Sequence, residues 1–353
     1  MIRSFPIVPP HRRTFLGLLT AGLADACVRP DARPSGRRGL DTVRLNAEFP
    51  ALVERARPAV FNIGLTSLPD GASWIWRADA RFPMQSVFKA PLAAAVLSAV
   101  DAGRLRLNQY LEITAADLSG PSGPVSISAA WPPNAPDHRL RLPLADLLAL
   151  AVQRSDNTAA DVIMAKLGGP QALTAWLGAN AIPDMRVDRY ERQLQQDVAG
   201  MPAFQPEWRS QTAWTAARSQ VAAQDRETAM NAYLNDPRDT TSLPGALDFL
   251  AKLDNGTLIA AESTRFLLRL MTTTATGAHR FIAGLPPGSR LAHKTGSAAT
   301  DLGLTPATNE IGIITLANGR RFAAAAFLAK STATETQRDA LLADAARLMA
   351  ACV

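Results

Sequence analysis

Residues 87–100 form an almost unbroken apolar run, VFKAPLAAAVLSAV, with Lys89 as its one ionisable side chain. A helix that is apolar around its whole circumference has no face for water, so this segment predicts a helix buried on all sides. Enclosing it takes a large core, and a chain of 353 residues can supply one. The patterning on either side differs. Upstream, a helix over residues 42–56 stops before Pro58 and is followed by strands at 59–65 and 73–77, with Pro69-Asp70-Gly71 as the hairpin turn between them. Downstream the pattern is helical at 143–151, 159–167, 245–253 and 261–271, with Gly168-Gly169 as a stop signal. Strands return at 291–295, 310–316 and 321–328, the last two joined at Asn318-Gly319, before a final helix at 336–351. Strands at both ends with helices between them predict an α/β (α+β) chain: one sheet assembled from distant segments, with a helical domain inserted. The expected division is 44–82 with 246–353 for the sheet domain and 83–245 for the helical one. A cleft between the two is the natural place for a site.

Composition is that of a globular protein, 47% apolar and 19% charged. The formal charge of +6 includes Arg3, Arg12 and Arg13, and no long basic run follows. The surplus suits solubility and attraction of anionic substrates; it is not a nucleic-acid footprint. Arg12-Arg13-Thr14-Phe15-Leu16 has the form of a twin-arginine export signal, and the apolar stretch behind it is too short to span a bilayer. Ala24-Asp25-Ala26 reads as the cleavage site, so residues 1–26 are expected to be a signal peptide and 27–43 a linker. The expected destination is the periplasm, as a monomer without a membrane span. Cys27 follows the cleavage site and offers a point for a lipid anchor, although Asp25 makes a poor lipobox. Cys27 and Cys352 are the only cysteines, which excludes a disulfide framework and a thiolate metal cluster. The four histidines, His11, His138, His279 and His293, have no H-x-H-x-D or H-E-x-x-H spacing, so neither metal nor other cofactor is expected.

Three short strings carry chemistry. In Ser86-Val87-Phe88-Lys89 the serine stands at the start of the buried helix, and positions i and i+3 share a face. A serine hydroxyl is a weak nucleophile until a base takes its proton, and a lysine within reach can act so if burial lowers its pKa. Alone, the string is equally a capping serine and a surface lysine. An amine in an otherwise uncharged run nevertheless needs a reason to be there. Ser155-Asp156-Asn157 precedes a helix start and can simply cap it. Functionally, Ser155 would shuttle a proton, Asn157 would bind an amide carbonyl and Asp156 would hold backbone amides. His293-Lys294-Thr295-Gly296-Ser297 reads as a strand: Lys294 and Thr295 can bind a carboxylate, and Gly296 lets a ligand approach the backbone. The amides of Ser297 and Ser86 would form an oxyanion hole.

These strings, in this order, make the chain resemble class A serine β-lactamases over residues 42–353. The resemblance implies a five-stranded antiparallel sheet packed on a helical domain, a β-lactam as small-molecule substrate, and no metal. It also implies that Arg186-Val187-Asp188-Arg189-Tyr190-Glu191 opens the family's Ω-loop, with Glu191 as the base that activates the deacylating water, and that Arg189 pairs with Asp239. Arg280 matches a position where some members carry the arginine that supports the substrate carboxylate; residues 298–309 hold no arginine to replace it. Three departures stand out. Gln195 occupies the place of an asparagine that helps hold the hydrolytic water. Residues 196–235 enlarge the Ω-loop region and are expected to carry a helix near 212–234. The segment 120–138 is lengthened, and Trp131 in it is expected to be the aromatic that stacks at the site's mouth. Two other functions compete: a D-alanyl-D-alanine peptidase or transpeptidase with the same strings, and a weakly catalytic envelope protein that binds a partner or muropeptides.

Overall fold

The last strand, RFAAAAFLAKS, points successive side chains to opposite faces, and alanines lie on both. Alanines let helices approach closely from above and below, so this strand belongs at the centre of a sheet covered on both sides. A computed structural model describes residues 39–353, apart from 124, 134 and 136. The expected signal peptide, Cys27 and the linker as far as residue 38 lie outside the described residues; the linker's last two positions, 42 and 43, belong to a helix.

In chain order, helix α1 (Thr42–Ala56) leads into strands β1 (Val60–Ser67) and β2 (Ser73–Ile75) and a short β3 (Arg81–Pro83). A 3-10 turn, Gln85–Phe88, opens directly into α2 (Lys89–Asp101). Next come β4 (Tyr110–Ile113), α3 (Ile127–Ala130), β5 (Leu140–Pro143), α4 (Leu144–Gln153), α5 (Asn157–Leu167), α6 (Pro170–Ala179) and α7 (Glu191–Ala199). The enlarged region continues with α8 (Gln211–Ser219) and α9 (Ala223–Leu234). The chain closes with β6 (Thr240–Ser242), α10 (Leu243–Asp254), α11 (Ala261–Thr272), α12 (Phe281–Gly284), β7 (Arg290–Ser297), β8 (Thr305–Thr315), β9 (Arg321–Ser331) and α13 (Glu335–Ala351).

The five-stranded sheet has the order β2-β1-β9-β8-β7 and is antiparallel throughout. Strand β9 lies at its centre. Phe322, Ala324, Ala326 and Leu328 face one core with α1 and α13; Ala323, Ala325, Phe327 and Ala329 face the other, larger core with α2, α4, α5, α10 and α11. Helix α2 is buried along almost its whole length, as its composition requires. Pro91 sits in its first turn, where the missing N–H removes no hydrogen bond. Asn318-Gly319 makes the β8–β9 turn, with Gly319 at φ 84°.

One reading needs correction. The helix expected over 212–234 is two helices, α8 and α9, because the chain breaks helical geometry between Ser219 and Ala223. Glu191, which closes the string that opens the Ω-loop, is the first residue of α7. Two short ribbons, β3–β6 and β4–β5, were invisible in the sequence; each strand is too short for an alternating pattern to show. Among the described residues no helix is long and apolar enough to cross a membrane.

Strand β7 meets the turn before α2 at backbone distance. A Cβ on Gly296 would stand 2.4 Å from the Met84 carbonyl oxygen and 3.2 Å from the Val87 nitrogen. Glycine is required there by the protein's own backbone, a reason the sequence reading of Gly296 did not include. From β8, Asn309 donates to the carbonyls of Pro83 (2.8 Å) and Met84 (3.2 Å) and fixes the same turn. We expect Gly296→Ala to push β7 off the turn and cost about 1–3 kcal/mol, as overpacking does. Urea unfolding midpoints check this; an unchanged midpoint removes the close-approach argument.

Candidate active site

Ser86 stands in the 3-10 turn one residue after Gln85, a non-glycine residue at φ 48°. Ser155 has the same left-handed geometry at φ 59°. Such positions are sparsely populated and persist only where surrounding structure imposes them. Here both flank one point in space, because three helix starts converge on it: α2 brings Lys89, α5 brings Asn157 and α7 brings Glu191.

Lys89 and Glu191 are fully buried, and their side chains meet with Nζ 3.0 Å from Oε1. The ammonium also donates to the Ser155 carbonyl (2.7 Å) and to Asn157 Oδ1 (2.6 Å). Its three N–H donors thus have three oxygens. The half-buried Ser86 hydroxyl donates to the same Glu191 Oε1 at 3.2 Å. The carboxylate's other oxygen accepts from Gln195 Nε2 at 2.9 Å. Burial pushes the Glu191 carboxyl up, but the Lys89 charge and the bonds from Gln195, Lys89 and Ser86 outweigh it and hold the group below its ordinary value.

The second string joins the third. Lys294 is fully buried on β7, and its amine donates to Ser155 Oγ at 3.0 Å and to its neighbour's carbonyl, Thr295 O, at 2.9 Å. Burial first, then the charges of Lys89 and Arg280, pull the Lys294 amine well below its usual range. Thr295 shares a 2.7 Å hydroxyl contact with Thr276. His293, on the same face of the strand as Thr295 and opposite Lys294, binds the buried Glu310 carboxylate. Ser297 is exposed at the strand end, and its hydroxyl accepts from Arg280 at 2.8 Å. Arg280 is largely spent elsewhere: it pairs with Asp339 at 2.7 Å and reaches the Asn309 carbonyl at 3.3 Å. It therefore faces the cleft mainly through that contact with Ser297.

Asp156 caps α5 through the Ala159 amide (2.8 Å) and holds the Ile127 amide (2.7 Å), a purely structural post. Asn157 is less free than the sequence suggested. Its Oδ1 is taken by Lys89, and its Nδ2 donates to the Gly120 carbonyl at 3.2 Å. Arg189 pairs with Asp239 at 2.6 Å, the pairing the resemblance implied, and also with Asp197 and Asp236. A cleft of about 530 Å³ gathers Ser155, Asn157, Gln195, Thr295, Ser297 and Arg280 in its lining.

Trp131 is not in that lining. It is buried, 6% exposed, with its ring edge-on to His138 at 4.7 Å. The aromatic in the cleft wall is Trp214, from α8. Nothing in the sequence ranked one tryptophan of a Pro/Ser-rich segment below another in an insertion.

Sequence reasoning also missed what holds Glu191 in place. Tyr190 gives α7 no side-chain cap. Instead Asp161, from inside α5, accepts the amides of Glu191 (2.7 Å) and Arg192 (2.9 Å) and the Ser119 hydroxyl (2.5 Å). The signal was present: Asp161 is an acid in a run of apolar residues, the same anomaly that singled out Lys89. Gln85 and Tyr233 left no such trace. Among the described residues no group of three His, Cys, Asp or Glu side chains gathers to hold a metal.

Burial raises the Asp161 carboxyl from 3.8 to about 6. The folded chain then keeps a proton that the unfolded chain has released, so this group's contribution to stability falls as pH rises through that window. We expect a loss on the order of 2–3 kcal/mol across it, absent in Asp161→Asn. Urea midpoints measured from acid to neutral pH for both proteins check the slope; parallel curves would refute it.

The profile of the β-lactamase enzyme family matches residues 44–352. Curated relatives include β-lactamase VEB-1 of Pseudomonas aeruginosa, 30% identical over 76% of this chain and 77% of its own length. Extended-spectrum β-lactamase PER-1 of the same organism is 31% identical over 76% of this chain and 74% of its own. Among solved structures, a β-lactamase from Chitinophaga pinensis superposes with a TM-score of 0.68 at 28% identity, covering 87% of this chain and 98% of that one. The class A β-lactamase of the last common ancestor of Gram-negative bacteria gives 0.68 at 30% identity, with the same coverage. The ordered strings, the sheet and these likenesses agree: the chain belongs to the β-lactamase enzyme family, class A.

Proposed function

We propose that this chain hydrolyses the lactam amide of β-lactam antibiotics, and so confers resistance to them, by two acyl transfers through Ser86. The observation that carries the reading is the meeting of Ser86 Oγ and Lys89 Nζ on one oxygen of Glu191, at 3.2 and 3.0 Å. In the first step Oγ attacks the lactam carbonyl as its proton leaves to Glu191. Lys89, with its three donors engaged, is poised as the fixed cation beside that transfer. The amides of Ser86 and Ser297 stabilise the oxyanion. When the C–N bond breaks, Ser155 Oγ gives its proton to the departing nitrogen and is resupplied with the proton that Glu191 took from Ser86, passed on by way of Lys89; Glu191 is then a carboxylate again, and Lys294, 3.0 Å from Ser155 Oγ, keeps its charge. In the second step a water, deprotonated by Glu191 and steadied by Gln195, attacks the ester and frees Ser86. Lys294 and Thr295 hold the substrate carboxylate, with Arg280 behind Ser297. An arriving carboxylate favours the charged form of Lys294, which burial otherwise opposes.

Export by the twin-arginine-like leader to the periplasm, as a monomer, completes the reading. The peptidase alternative uses the same three strings but has no need of an acid at position 191. With nitrocefin, sustained turnover supports the hydrolase; a burst equal to the enzyme concentration supports the peptidase.

Glu191→Ala is expected to slow deacylation more than acylation and let a covalent adduct build up on Ser86. Intact-protein mass spectrometry after mixing with benzylpenicillin shows it; wild-type turnover in the variant removes Glu191 from the cycle. Because Glu191 must be ionised to accept a proton and is held below its ordinary 4.5 in the free enzyme, the acid limb of kcat/KM should fall below that value. A limb near neutrality would assign the base elsewhere.

A further inference from the structure

The enlarged region reaches the site through one buried phenol. Tyr233 stands next to the end of α9 and is 3% exposed. Its hydroxyl accepts from Gln85 Nε2 at 2.6 Å, one residue before Ser86. Gln85 Oε1 accepts from Gln195 Nε2 at 3.1 Å, and the same nitrogen donates to Glu191 Oε2 at 2.9 Å. Four side chains from three elements thus form one line: Tyr233 from α9, Gln85 from the 3-10 turn, and Gln195 and Glu191 from α7. The far end of the line is pinned. Arg226 on α9 binds Asp301, in the β7–β8 connection, at 2.5 Å, and the Arg189 guanidinium lies over the Tyr233 ring at 5.9 Å.

The charge at one end sets the direction of every bond in the line. An ionised carboxylate only accepts, so Gln195 must turn its NH2 group toward Glu191. Both hydrogens of that group are then used, one on Glu191 and one on Gln85. Gln85 must meet it with oxygen, which turns its own NH2 group toward α9, where only an acceptor can answer. The Tyr233 oxygen is that acceptor. Gln195 Oε1 is left with no partner among the described residues, on a side chain that lines the cleft. A water between Glu191 and Gln195 can then give one hydrogen to each.

Resting on the hydrolase reading above, we propose that Tyr233 is a positioning residue for the second step: through Gln85 it fixes the Gln195 amide, and so the water that Glu191 deprotonates. The enlarged region then serves deacylation and not acylation. Acylation depends on the Ser86 turn, which Asn309 and the close approach of Gly296 hold from the sheet. Without the phenol oxygen, Gln85 keeps a buried donor with no acceptor, which is costly. Turning that amide over to escape would set its NH2 group against the NH2 group of Gln195. Either way Gln195 loses the contact that orients it, and a small misplacement of a reacting group slows its step severely.

The test is the lifetime of the Ser86 adduct with benzylpenicillin, followed by rapid quenching and intact-protein mass spectrometry. In Tyr233→Phe, which keeps the ring over which Arg189 lies, the adduct is expected to decay about tenfold more slowly, with its rate of formation unchanged. A general loss of packing would not divide the two steps in this way. An unchanged lifetime, or an equal slowing of both steps, overturns the proposal. Gln85→Leu cuts the same line at its middle and is expected to show the same split, so the reading does not hang on one variant folding. A double-mutant cycle tests the route: added to Gln195→Leu, Tyr233→Phe should slow decay no further, and multiplying effects overturn the proposal. If the unaltered enzyme turns over no β-lactam, it is the hydrolase reading that falls.

Discussion

Everything at this site is arranged around two opposite charges that have no contact with water. Lys89 and Glu191 face each other at 3.0 Å, both fully buried. Each would cost several kcal/mol to desolvate alone, and their attraction repays this only if the remaining hydrogen-bonding positions are filled. They are filled: the Ser155 carbonyl and Asn157 for the amine, Ser86 and Gln195 for the carboxylate. The pair is therefore less a strut than a condition. It forces the starts of α2, α5 and α7 to one point and leaves Ser86 half-exposed beside the two buried charges. Structure and chemistry are coupled there, because moving either charge strands the other in a low-dielectric interior.

A second buried ionisable group, Asp161, makes that condition tenable. A helix start leaves amides without partners, and α7 has no side-chain cap of its own. Asp161 supplies one from a neighbouring helix, and so converts a flexible loop end into a fixed origin for Glu191. Its own carboxyl pays in desolvation, which is why its pKa rises. On the sheet side, Gly296 and Asn309 hold the Ser86 turn against β7 and β8. The nucleophile is thus positioned by the sheet and its base by the helices, and the cleft lies where the two meet.

What could be read in the sequence follows from whether a residue's role is local. The buried helix was legible because composition alone decides it, and the sheet's long strands because alternation repeats. The three strings were legible because their chemistry sits within four residues. Trp131 was misjudged and Trp214 missed for one reason: which tryptophan faces a cleft depends on how an insertion folds back, and no local pattern encodes that. Gly296 was noticed, but its contact with the facing backbone was not, since a glycine needed by a ligand and one needed by a facing backbone look the same in one dimension. Asp161 was overlooked although it shows the same signal as Lys89, a lone charge among apolar neighbours.

Gln195, four residues after Glu191 on α7, and the segment 196–235 are physically linked. Gln195 Nε2 spans from Glu191 Oε2 at 2.9 Å to Gln85 Oε1 at 3.1 Å. Gln85 can offer that oxygen because its own amide nitrogen donates to Tyr233 at 2.6 Å, and Tyr233 comes from α9 of the insertion. Buried among these groups, the Tyr233 hydroxyl is pushed further from ionisation, so it stays a neutral acceptor. The chain from α9 through Gln85 to Gln195 fixes the orientation of a side chain that would otherwise have several rotamers. Removing α9 would free that amide, and a shorter side chain at position 195 would leave Gln85 with an unanswered oxygen, so neither can change without consequence for the other.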